Sequence, residues 1–227
     1  MIKMDIIEKL NAMRLNDLSI KQWNDFLSGS VYGTNPWMAV AINSGTIGVA
    51  TTAKHPGIII FSSNTGANSG YAIKTSPDII LNGGEKTTII FKTAATLTNV
   101  LRRIGFHSTL DSTTPTDGVH CKIQDGVLTG QTANNSTVST TATNYTLAAN
   151  TWYRLKIEIS ADLSVATYTL YADDSNTILW QDSLTTNIPV GRTVGHGDVC
   201  TYGGTSAIAL GYIDYMDVFL PNARRVV

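Results

Sequence analysis

The sequence predicts an all-β sandwich of two stacked antiparallel sheets, and three observations support this fold class. From Val31 onward, short runs rich in Ile, Val, Thr, Tyr and Phe alternate with clusters of Gly, Asn, Asp, Ser and Pro, as in a chain of many strands and tight turns. Residues 152–160 alternate between apolar and polar side chains, and the apolar positions are Tyr153, Leu155, Ile157 and Ile159. No strand–helix–strand alternation occurs, which argues against a parallel α/β fold.

The composition indicates one large globular domain with few charges. Of 227 residues, 43% are hydrophobic and 15% are charged, whereas about 25% charged residues is typical. A formal net charge of -1 gives no general basic field that would attract nucleic acid or an anionic membrane. Because the sequence contains neither a signal-peptide pattern nor a run of about 18 apolar residues, we expect a soluble protein made in a cytoplasm.

The first stretch of the chain differs from the rest and predicts two short helices. Two residue pairs match the capping-box spacing that satisfies free N–H groups at a helix start: Asp5 with Glu8, and Ser19 with Gln22. The predicted helices run from about Ile6 to Leu15 and from about Ile20 to Ser28. Helices this short need a packing partner, so we interpret residues 1–30 as a helical anchor or flap and residues 31–227 as the sandwich.

Several strands and turns of the sandwich are predicted individually. Good strand candidates are Gly57 to Ser62, Tyr71 to Thr75, Lys86 to Thr93 and Leu101 to Ser108. Asn82-Gly83-Gly84 and Asp125-Gly126 are predicted hairpin turns, because these residues tolerate positive φ. The run from Ala207 to Leu220 is apolar on both faces and predicts a central strand. The Thr-, Asn- and Ser-rich stretch from Thr129 to Thr146 is interpreted as two exposed edge strands with a flexible tip.

A set of ordered segments adds a resemblance to a known family. The segments are His55-Pro56-Gly57-Ile58, Asn68-Ser69-Gly70-Tyr71, Arg103-Ile104-Gly105-Phe106, Pro115-Thr116-Asp117-Gly118-Val119, Asn150-Thr151-Trp152-Tyr153, Thr186-Asn187-Ile188-Pro189 and Ile213-Asp214-Tyr215. In order and spacing, residues 31–220 resemble the concanavalin A-like (laminin-G-like) jelly-roll domains of bacteriophage tail fibres, spikes and head decorations. The resemblance implies a jelly-roll sandwich on a virion surface, where such domains bind host glycans or fill space between modules. The predicted N-terminal helices lie outside this pattern.

Motifs for glycan cleavage are missing from the sequence. A glycosidase needs two carboxyl groups about 5 to 9.5 Å apart, yet the sequence has no Glu-x-Asp-x-Glu strand and only three glutamates: Glu8, Glu85 and Glu158. Asp214 and Asp217 are offset by three residues, which turns them to opposite faces of a strand. We expect Asp214 to accept hydrogen bonds from a neighbouring loop, with a metal or ligand contact as the alternative. Lyase chemistry would require Arg, His, Gln and Tyr side chains gathered from several strands, which the sequence leaves open.

Metal, redox and nucleotide motifs are likewise missing, so we expect no cofactor. The four histidines, His55, His107, His120 and His196, show no metal-ligand spacing. Neither a nucleophile elbow nor a P-loop nor a dinucleotide-binding glycine pattern occurs. Cys121 and Cys200 lie far apart without a CxxC pair and are expected to be reduced core thiols.

Ligand binding by aromatic and polar loop residues is the remaining prediction. Sugars stack on aromatic rings and hydrogen-bond to amides and carboxylates, and the glycine-rich segment 191–204 is the loop candidate richest in such groups. The candidate ligand-binding residues are Trp180, Arg192, His196, Asp198 and Tyr202. The alternative is structural, because a Trp in a sandwich is often a core residue and a glycine-rich loop is often only a connection. Trp37 and Trp152 are interpreted as structural.

Together these observations predict a non-enzymatic virion component, a tail, fibre or head accessory protein, that binds host-surface glycans. It would be a homo-oligomer and would contact other virion proteins through its N-terminal helices. A free carbohydrate-binding lectin is the first alternative, and a polysaccharide-degrading enzyme of the same fold is the second.

Overall fold

A computed structural model describes residues 20–24, 37–50, 54–55, 57–75, 79–173 and 175–221 of the chain. Within these ranges all regular elements are β-strands. They are β1 (Ile20–Asn24), β2 (Trp37–Ile42), β3 (Thr46–Ala50), β4 (Ile58–Ser62), β5 (Ser69–Thr75), β6 (Ile79–Ile80), β7 (Lys86–Thr93), β8 (Val100–His107), β9 (Gly118–Gln124), β10 (Val127–Asn134), β11 (Thr137–Thr140), β12 (Tyr145–Thr146), β13 (Trp152–Ile159), β14 (Ala166–Ala172), β15 (Ile178–Leu184), β16 (Thr193–Tyr202) and β17 (Ala209–Leu220).

The strands form two antiparallel sheets, which we call sheet I and sheet II. Sheet I has the order β15-β14-β13-β7-β17-β4-β3, and β1 also pairs with β17. Sheet II has the order β11-β10-β9-β8-β16-β5-β2, with β12 beside β10 and β6 beside β16. The predicted all-β fold is therefore confirmed, and β17 has the central place that its two-sided apolar pattern predicted.

Alternation along the strands places one row of side chains from each sheet in a shared core. On β13, Tyr153, Leu155, Ile157 and Ile159 are buried while the polar residues between them are half-buried. From sheet II, Ile104 and Phe106 on β8 enter the same core. Cys121 and Cys200 are buried in it as free thiols, as predicted.

Two predicted hairpin turns have different outcomes. Asp125-Gly126 joins β9 to β10 with φ of 54° and 82°, so this hairpin is confirmed. Asn82-Gly83-Gly84 has the expected positive φ at both glycines, but β6 pairs with β16 in one sheet and β7 lies in the other, so the hairpin prediction is wrong. The buried Glu85 carboxylate holds this crossing, because it accepts hydrogen bonds from the N–H groups of Asn82 (2.7 Å) and Gly83 (3.0 Å).

The N-terminal prediction is corrected in part. Residues 20–24, predicted to start the second helix, form β1 and pair antiparallel with residues 216–220 of β17. The capping-box spacing is only a local signal. On the edge of β17 that pairs with β4 at residues 209–213, residues 216–220 remain available, and they give this segment a ladder of backbone hydrogen bonds. The predicted helix from Ile6 to Leu15 and the remainder of the second lie outside the described residues. Within the described ranges, no helix is long and apolar enough to cross a membrane.

Candidate functional site

The predicted binding loop is a strand. Residues 193–202 form β16, which pairs with β5 on one side and β8 on the other in the middle of sheet II. The glycines that suggested a loop permit close packing instead. A Cβ at Gly195 would lie 2.4 Å from Lys74 Cε, and one at Gly197 would lie 2.1 Å from the carbonyl oxygen of Ile73.

Two of the predicted ligand residues, His196 and Asp198, are fully buried between the sheets. The Thr87 hydroxyl donates to the carbonyl of Asp217 at 2.7 Å, so it accepts from His196 Nε2 at 2.6 Å. Burial lowers the pKa of His196 to about 3. The imidazole is therefore neutral at physiological pH and acts as a structural bridge between the two sheets.

Asp198 forms a buried ion pair with Arg102, which sequence reasoning missed. Arg102 Nε donates to both carboxylate oxygens, at 3.0 and 2.8 Å, and the guanidinium also donates to the sheet I carbonyls of Lys92 (3.1 Å) and Tyr212 (3.2 Å). Burial alone would lower the pKa of Arg102, but the Asp198 carboxylate raises it above its usual value. Arg102 therefore ties sheet II to sheet I through a charged pair.

The other three predicted ligand residues do not converge. Trp180 is a core residue of sheet I with 7% of its surface exposed, and its Nε1 donates to Thr143 Oγ1 at 3.0 Å. Arg192 is paired with Asp117 at 3.0 Å, and Tyr202 ends β16 in a half-buried position. Among the described residues these three side chains have separate partners, and their role in ligand binding stays a prediction.

A different polar site lies on the outer face of sheet II. Register places Lys74, Gly197, Gly105, His120 and Gln131 side by side across β5, β16, β8, β9 and β10. The two central glycines add no side chain to this row, and a Cβ at Gly105 (φ 128°) would meet Ile157 of the core at 2.7 Å. The backbones of Lys74 and His120 are three strand spacings of about 4.8 Å apart. The Lys74 side chain extends over Gly195, and the rings of His107 and His120 lie 5.7 Å apart. We call this buried polar row, with the flanking Arg103 and His107, the glycine trough.

Hydrogen bonding fixes the proton of His107 in the trough. Lys74 Nζ donates to the carbonyl oxygen of Thr109 at 2.9 Å, and His107 Nδ1 lies 3.1 Å from the same oxygen. A carbonyl oxygen only accepts, so Nδ1 carries the proton of the neutral ring. His107 Nε2 is therefore an acceptor, and it has no hydrogen-bond partner among the described residues.

Further polar atoms of the trough have no hydrogen-bond partner among the described residues. They are Arg103 Nε and both ring nitrogens of His120. Gln131 lies opposite His120 and favours its protonated form, but the two side chains do not reach hydrogen-bonding geometry. Arg103 and His120 are 4% and 0% exposed, and buried polar groups are nearly always paired. Unpaired donors and acceptors in one patch therefore indicate a place where oxygen atoms of a bound molecule belong.

Burial sets the charge of the trough. It lowers the pKa of His120 to about 3, with nearby Arg103 acting in the same direction, and lowers the pKa of His107 well below its usual value. Burial also lowers the pKa of Lys74 to about 8 and that of Arg103, which Asp111 partly restores. At neutral pH the trough thus presents two cations and two neutral imidazoles.

The cost of burying Lys74 gives a testable pH dependence. Its pKa falls from 10.5 to about 8 on folding, so the charged form destabilises the fold below pH 8 and the penalty is relieved between pH 8 and 10.5. We expect Lys74→Met to raise the free energy of unfolding by about 2 to 3 kcal/mol at neutral pH. Urea unfolding at several pH values should show this gain shrinking above pH 8, and an unchanged or reduced stability at neutral pH would contradict it.

A second polar surface lies on the outer face of sheet I. The guanidinium of Arg154 lies 4.5 Å from the ring centre of Tyr171. Both residues line an open groove of about 350 Å³, together with Thr88, Lys156 and Asn176. This surface offers an aromatic ring and two cations, but its side chains are half-exposed or exposed rather than buried and unpaired.

His55 forms a clamp beside this surface. Its Nδ1 lies 2.9 Å from Asp214 and its Nε2 lies 3.1 Å from Asp173. The imidazole stacks on the Trp152 indole with ring centres 3.9 Å apart. The predicted structural role of Asp214, bonding to a neighbouring loop, is confirmed by this contact. Within the described residues, no group of three or more His, Cys, Asp or Glu side chains is arranged to hold a metal ion.

Comparison with known proteins now places the chain in a family. The model of the SO2946-like, C-terminal domain family matches residues 54–214. The chain belongs to the SO2946-like C-terminal domain family. The matched region contains both cations and both histidines of the glycine trough. No curated protein sequence matches the chain.

Solved structures show how widely this SO2946-like fold recurs. A protein of unknown function, SO2946 from Shewanella oneidensis MR-1, has a TM-score of 0.75 at 22% identity, covering 97% of this chain and 96% of that one. The carbohydrate recognition domain of Emp47p has a TM-score of 0.58 at 13% identity over 90% and 96% of the chains. The CBM2 module of the evolved Dit of Lactobacillus casei BL23 phage J-1 has a TM-score of 0.60 at 13% identity over 91% and 97%. At these identities the likeness establishes the concanavalin A-like jelly-roll fold.

Proposed function

We propose that this SO2946-like chain is a non-catalytic, glycan-binding accessory protein of a bacteriophage virion, and that the glycine trough holds the sugar. The observation that carries the proposal is the set of buried, unpaired donors and acceptors on Arg103, His107 and His120. The carbohydrate recognition domain and the phage carbohydrate-binding module that share the fold support it.

The chemistry of the trough suits sugar hydroxyls. A hydroxyl both donates and accepts, and so needs both kinds of partner close together. His107 Nε2 accepts, Arg103 Nε donates, and a neutral His120 ring supplies one donor and one acceptor. A sugar in the trough would satisfy these groups at once, whereas leaving each one unpaired costs about 1 to 3 kcal/mol.

The carboxylates of the trough favour binding over hydrolysis. Hydrolysis of a glycosidic bond uses a pair of facing carboxyl groups. In the described part of the chain, the carboxylate that acts on Arg103 is that of Asp111, and its pKa is lowered by hydrogen bonds from Thr113. A carboxyl group held in its ionised form is a poor general acid.

A glycan array tests the binding half of the proposal. Wild-type protein should show saturable binding to at least one glycan class. We expect His120→Leu, which removes two unpaired polar atoms without adding charge, to weaken this binding at least tenfold while leaving the fold intact. Tyr171→Ala, on the groove of sheet I, is the matched control and should bind as wild type does. Loss in Tyr171→Ala with retention in His120→Leu would move the sugar site to sheet I.

The same array tests the earlier candidates Trp180 and Tyr202. If they contact sugar directly, Trp180→Phe and Tyr202→Ala will lose binding while His120→Leu keeps it, which would contradict the trough. Folding of each variant is checked by circular dichroism. A wild-type protein that binds no glycan on a broad array would overturn the proposed function.

The virion assignment has its own test. Mass spectrometry of purified phage particles should detect the chain at a fixed copy number, and light scattering should show a homo-oligomer, since weak sugar sites gain from multivalent display. Detection only in the free fraction of the lysate, with glycan binding intact, would identify a free lectin instead.

A polysaccharide lyase is the second candidate, because the trough gathers the arginine, histidine and glutamine side chains that such chemistry would need. They come from β8, β9 and β10: Arg103, His107, His120 and Gln131. Incubation with acidic polysaccharides and detection of an unsaturated, ultraviolet-absorbing product distinguishes the two. If the wild-type protein forms this product and His120→Leu does not, the trough is the active site of a lyase rather than a binding site.

A further inference from the structure

We infer that the glycan held in the glycine trough is acidic, and that its carboxylate is bound by Arg103 after the loop between β8 and β9 moves aside. This inference rests on the proposed function and adds the class of ligand. It depends on three features: buried cations without a salt bridge, loop carbonyls that accept from them, and a loop tip whose other hydrogen bonds stay within the loop.

The trough cations have no carboxylate partner in the described part of the chain. Lys74 and Arg103 are 1% and 4% exposed, and neither forms an ion pair there. Arg102, the residue before Arg103, is equally buried but is paired with Asp198. A buried cation without a paired anion is costly, and Asp111 acts on Arg103 without forming a salt bridge, so the contrast between adjacent arginines favours a second anion from outside the chain. Lys122, opposite Arg103 in register, adds a further positive charge.

Loop carbonyls occupy the cations in the free protein. Thr109 O accepts from Lys74 Nζ at 2.9 Å, and Ser112 O accepts from Arg103 at 3.1 Å. A carbonyl oxygen carries only a partial charge, whereas bonds between a cation and a carboxylate are shorter and about twice as strong. Carboxylate oxygens would therefore replace the loop at Arg103, and the unused Nε would complete a two-point contact.

The covering loop, residues 108–117, is organised around its own side chains. Asp111 Oδ1 accepts from Thr109 Oγ1 at 2.9 Å and from the Thr113 N–H at 2.7 Å. The base of the loop is closed by a bond from Ser108 N–H to Asp117 O at 3.0 Å. The base of the loop is also held from outside, because Thr116 O accepts from the Ser136 N–H at 2.8 Å and Asp117 Oδ1 accepts from the Asn135 N–H at 2.9 Å. The tip, residues 109–113, can leave the trough by breaking chiefly the bonds of its carbonyls to Lys74, Arg103 and His107.

The neutral histidines then determine which kind of anionic ligand fits. A small inorganic anion would satisfy the cations but would leave His107 Nε2 and His120 without partners. A sugar acid supplies a carboxylate for Arg103 and hydroxyls for the imidazoles within one ring. The combination therefore favours a uronic-acid type of sugar over free phosphate or a neutral sugar.

Calorimetric titration separates these ligands. The probes are a galacturonic acid trisaccharide, a galactose trisaccharide of the same length, and inorganic phosphate. We expect the acidic trisaccharide to bind at least tenfold more tightly than the neutral one, and phosphate to bind more weakly than the acidic trisaccharide. Arg103→Gln should reduce affinity for the acidic sugar at least tenfold and affinity for the neutral sugar by a clearly smaller factor, since a neutral sugar loses only the Nε hydrogen bond. Arg154→Gln, on the groove of sheet I, is the matched control and should change neither.

Loop variants test the opening step. Asp111→Ala removes the centre of the loop's own bonds and a carboxylate near Arg103, so it should raise affinity for the acidic sugar and speed its association. Arg103→Lys is the substitute if Arg103→Gln fails to fold. It keeps the charge but removes Nε, so it should lose part of the affinity for the acidic sugar.

The outcomes are distinct. Equal binding of the acidic and neutral trisaccharides, or an equal loss of both in Arg103→Gln, overturns the acidic ligand and leaves the proposed function standing. Phosphate binding that matches or exceeds that of the acidic sugar assigns the trough to small anions and overturns the inference. Binding of neither sugar here, together with a blank glycan array, defeats the proposed function itself.

Discussion

Lowering the pH from about 7 to about 5 is expected to destabilise this protein by roughly 4 kcal/mol or more. His107, His120 and His196 are fully buried, and burial lowers the pKa of His120 and His196 to about 3. In the unfolded chain these groups take up protons near pH 6.5, so the unfolded state binds more protons below that pH. Stability is therefore fully present above pH 6.5 and is lost as the pH falls, by about 2 kcal/mol per histidine at pH 5.

Urea unfolding followed at several pH values between 7 and 5 measures this effect. Two cations, Lys74 and Arg103, lie close to His107 and His120. Their positive charge further lowers the pKa of both histidines. The slope of the free energy of unfolding against pH counts the protons taken up on unfolding. In His120→Leu one such proton is lost, so this slope should be smaller than in the wild type. A stability that is flat from pH 7 to 5 would show that the histidines are hydrated or paired with anions.

Replacing Arg102 by Met is expected to cost about 3 to 5 kcal/mol of folding free energy. The substitution leaves Asp198, which is 0% exposed, as a buried charge without its partner, and it removes the bonds from Arg102 to two carbonyls of sheet I. The neighbouring Arg103 is the matched control, since it is also buried but has no carboxylate partner. Arg103→Met should therefore change stability little or increase it.

Thermal and urea unfolding measure the contribution of the Arg102–Asp198 ion pair to stability. They are applied to both single variants and to the double variant Arg102→Met/Asp198→Leu. The double variant should recover most of the lost stability, because an apolar pair replaces the ion pair. If Arg102→Met and Arg103→Met cost the same, the buried pair does not carry the stability assigned to it.

Much of the sandwich follows from local sequence patterns. Strict alternation predicted β13, and the positive-φ pair Asp125-Gly126 predicted the turn between β9 and β10. Both signals are local, so one short segment contains all the information. The prediction for residues 20–24 was wrong because a capping-box pattern says nothing of the free strand edge offered by β17.

The candidate site was predicted much less well, because its determinants are non-local. Gly195 and Gly197 were taken for loop glycines, whereas contact with β5 is what excludes a side chain there. The burial of His196 and Asp198 was not predicted, because a sequence does not show which face of a strand is covered by a second sheet. The useful signal was Arg103-x-Gly105-x-His107, polar or small residues at alternate positions on a strong strand. Only register then adds Lys74 and His120 from other strands.

Nuclear magnetic resonance of the histidine side chains tests the trough most directly. In protein labelled with ¹⁵N-histidine, the free state should show His107 as a neutral ring protonated at Nδ1. Titration with the galacturonic acid trisaccharide should shift the ring signals of His107 and His120 saturably and leave His196, on the inner face of the same sheet, in place. Unchanged signals of His107 and His120 at ligand saturation would contradict the account.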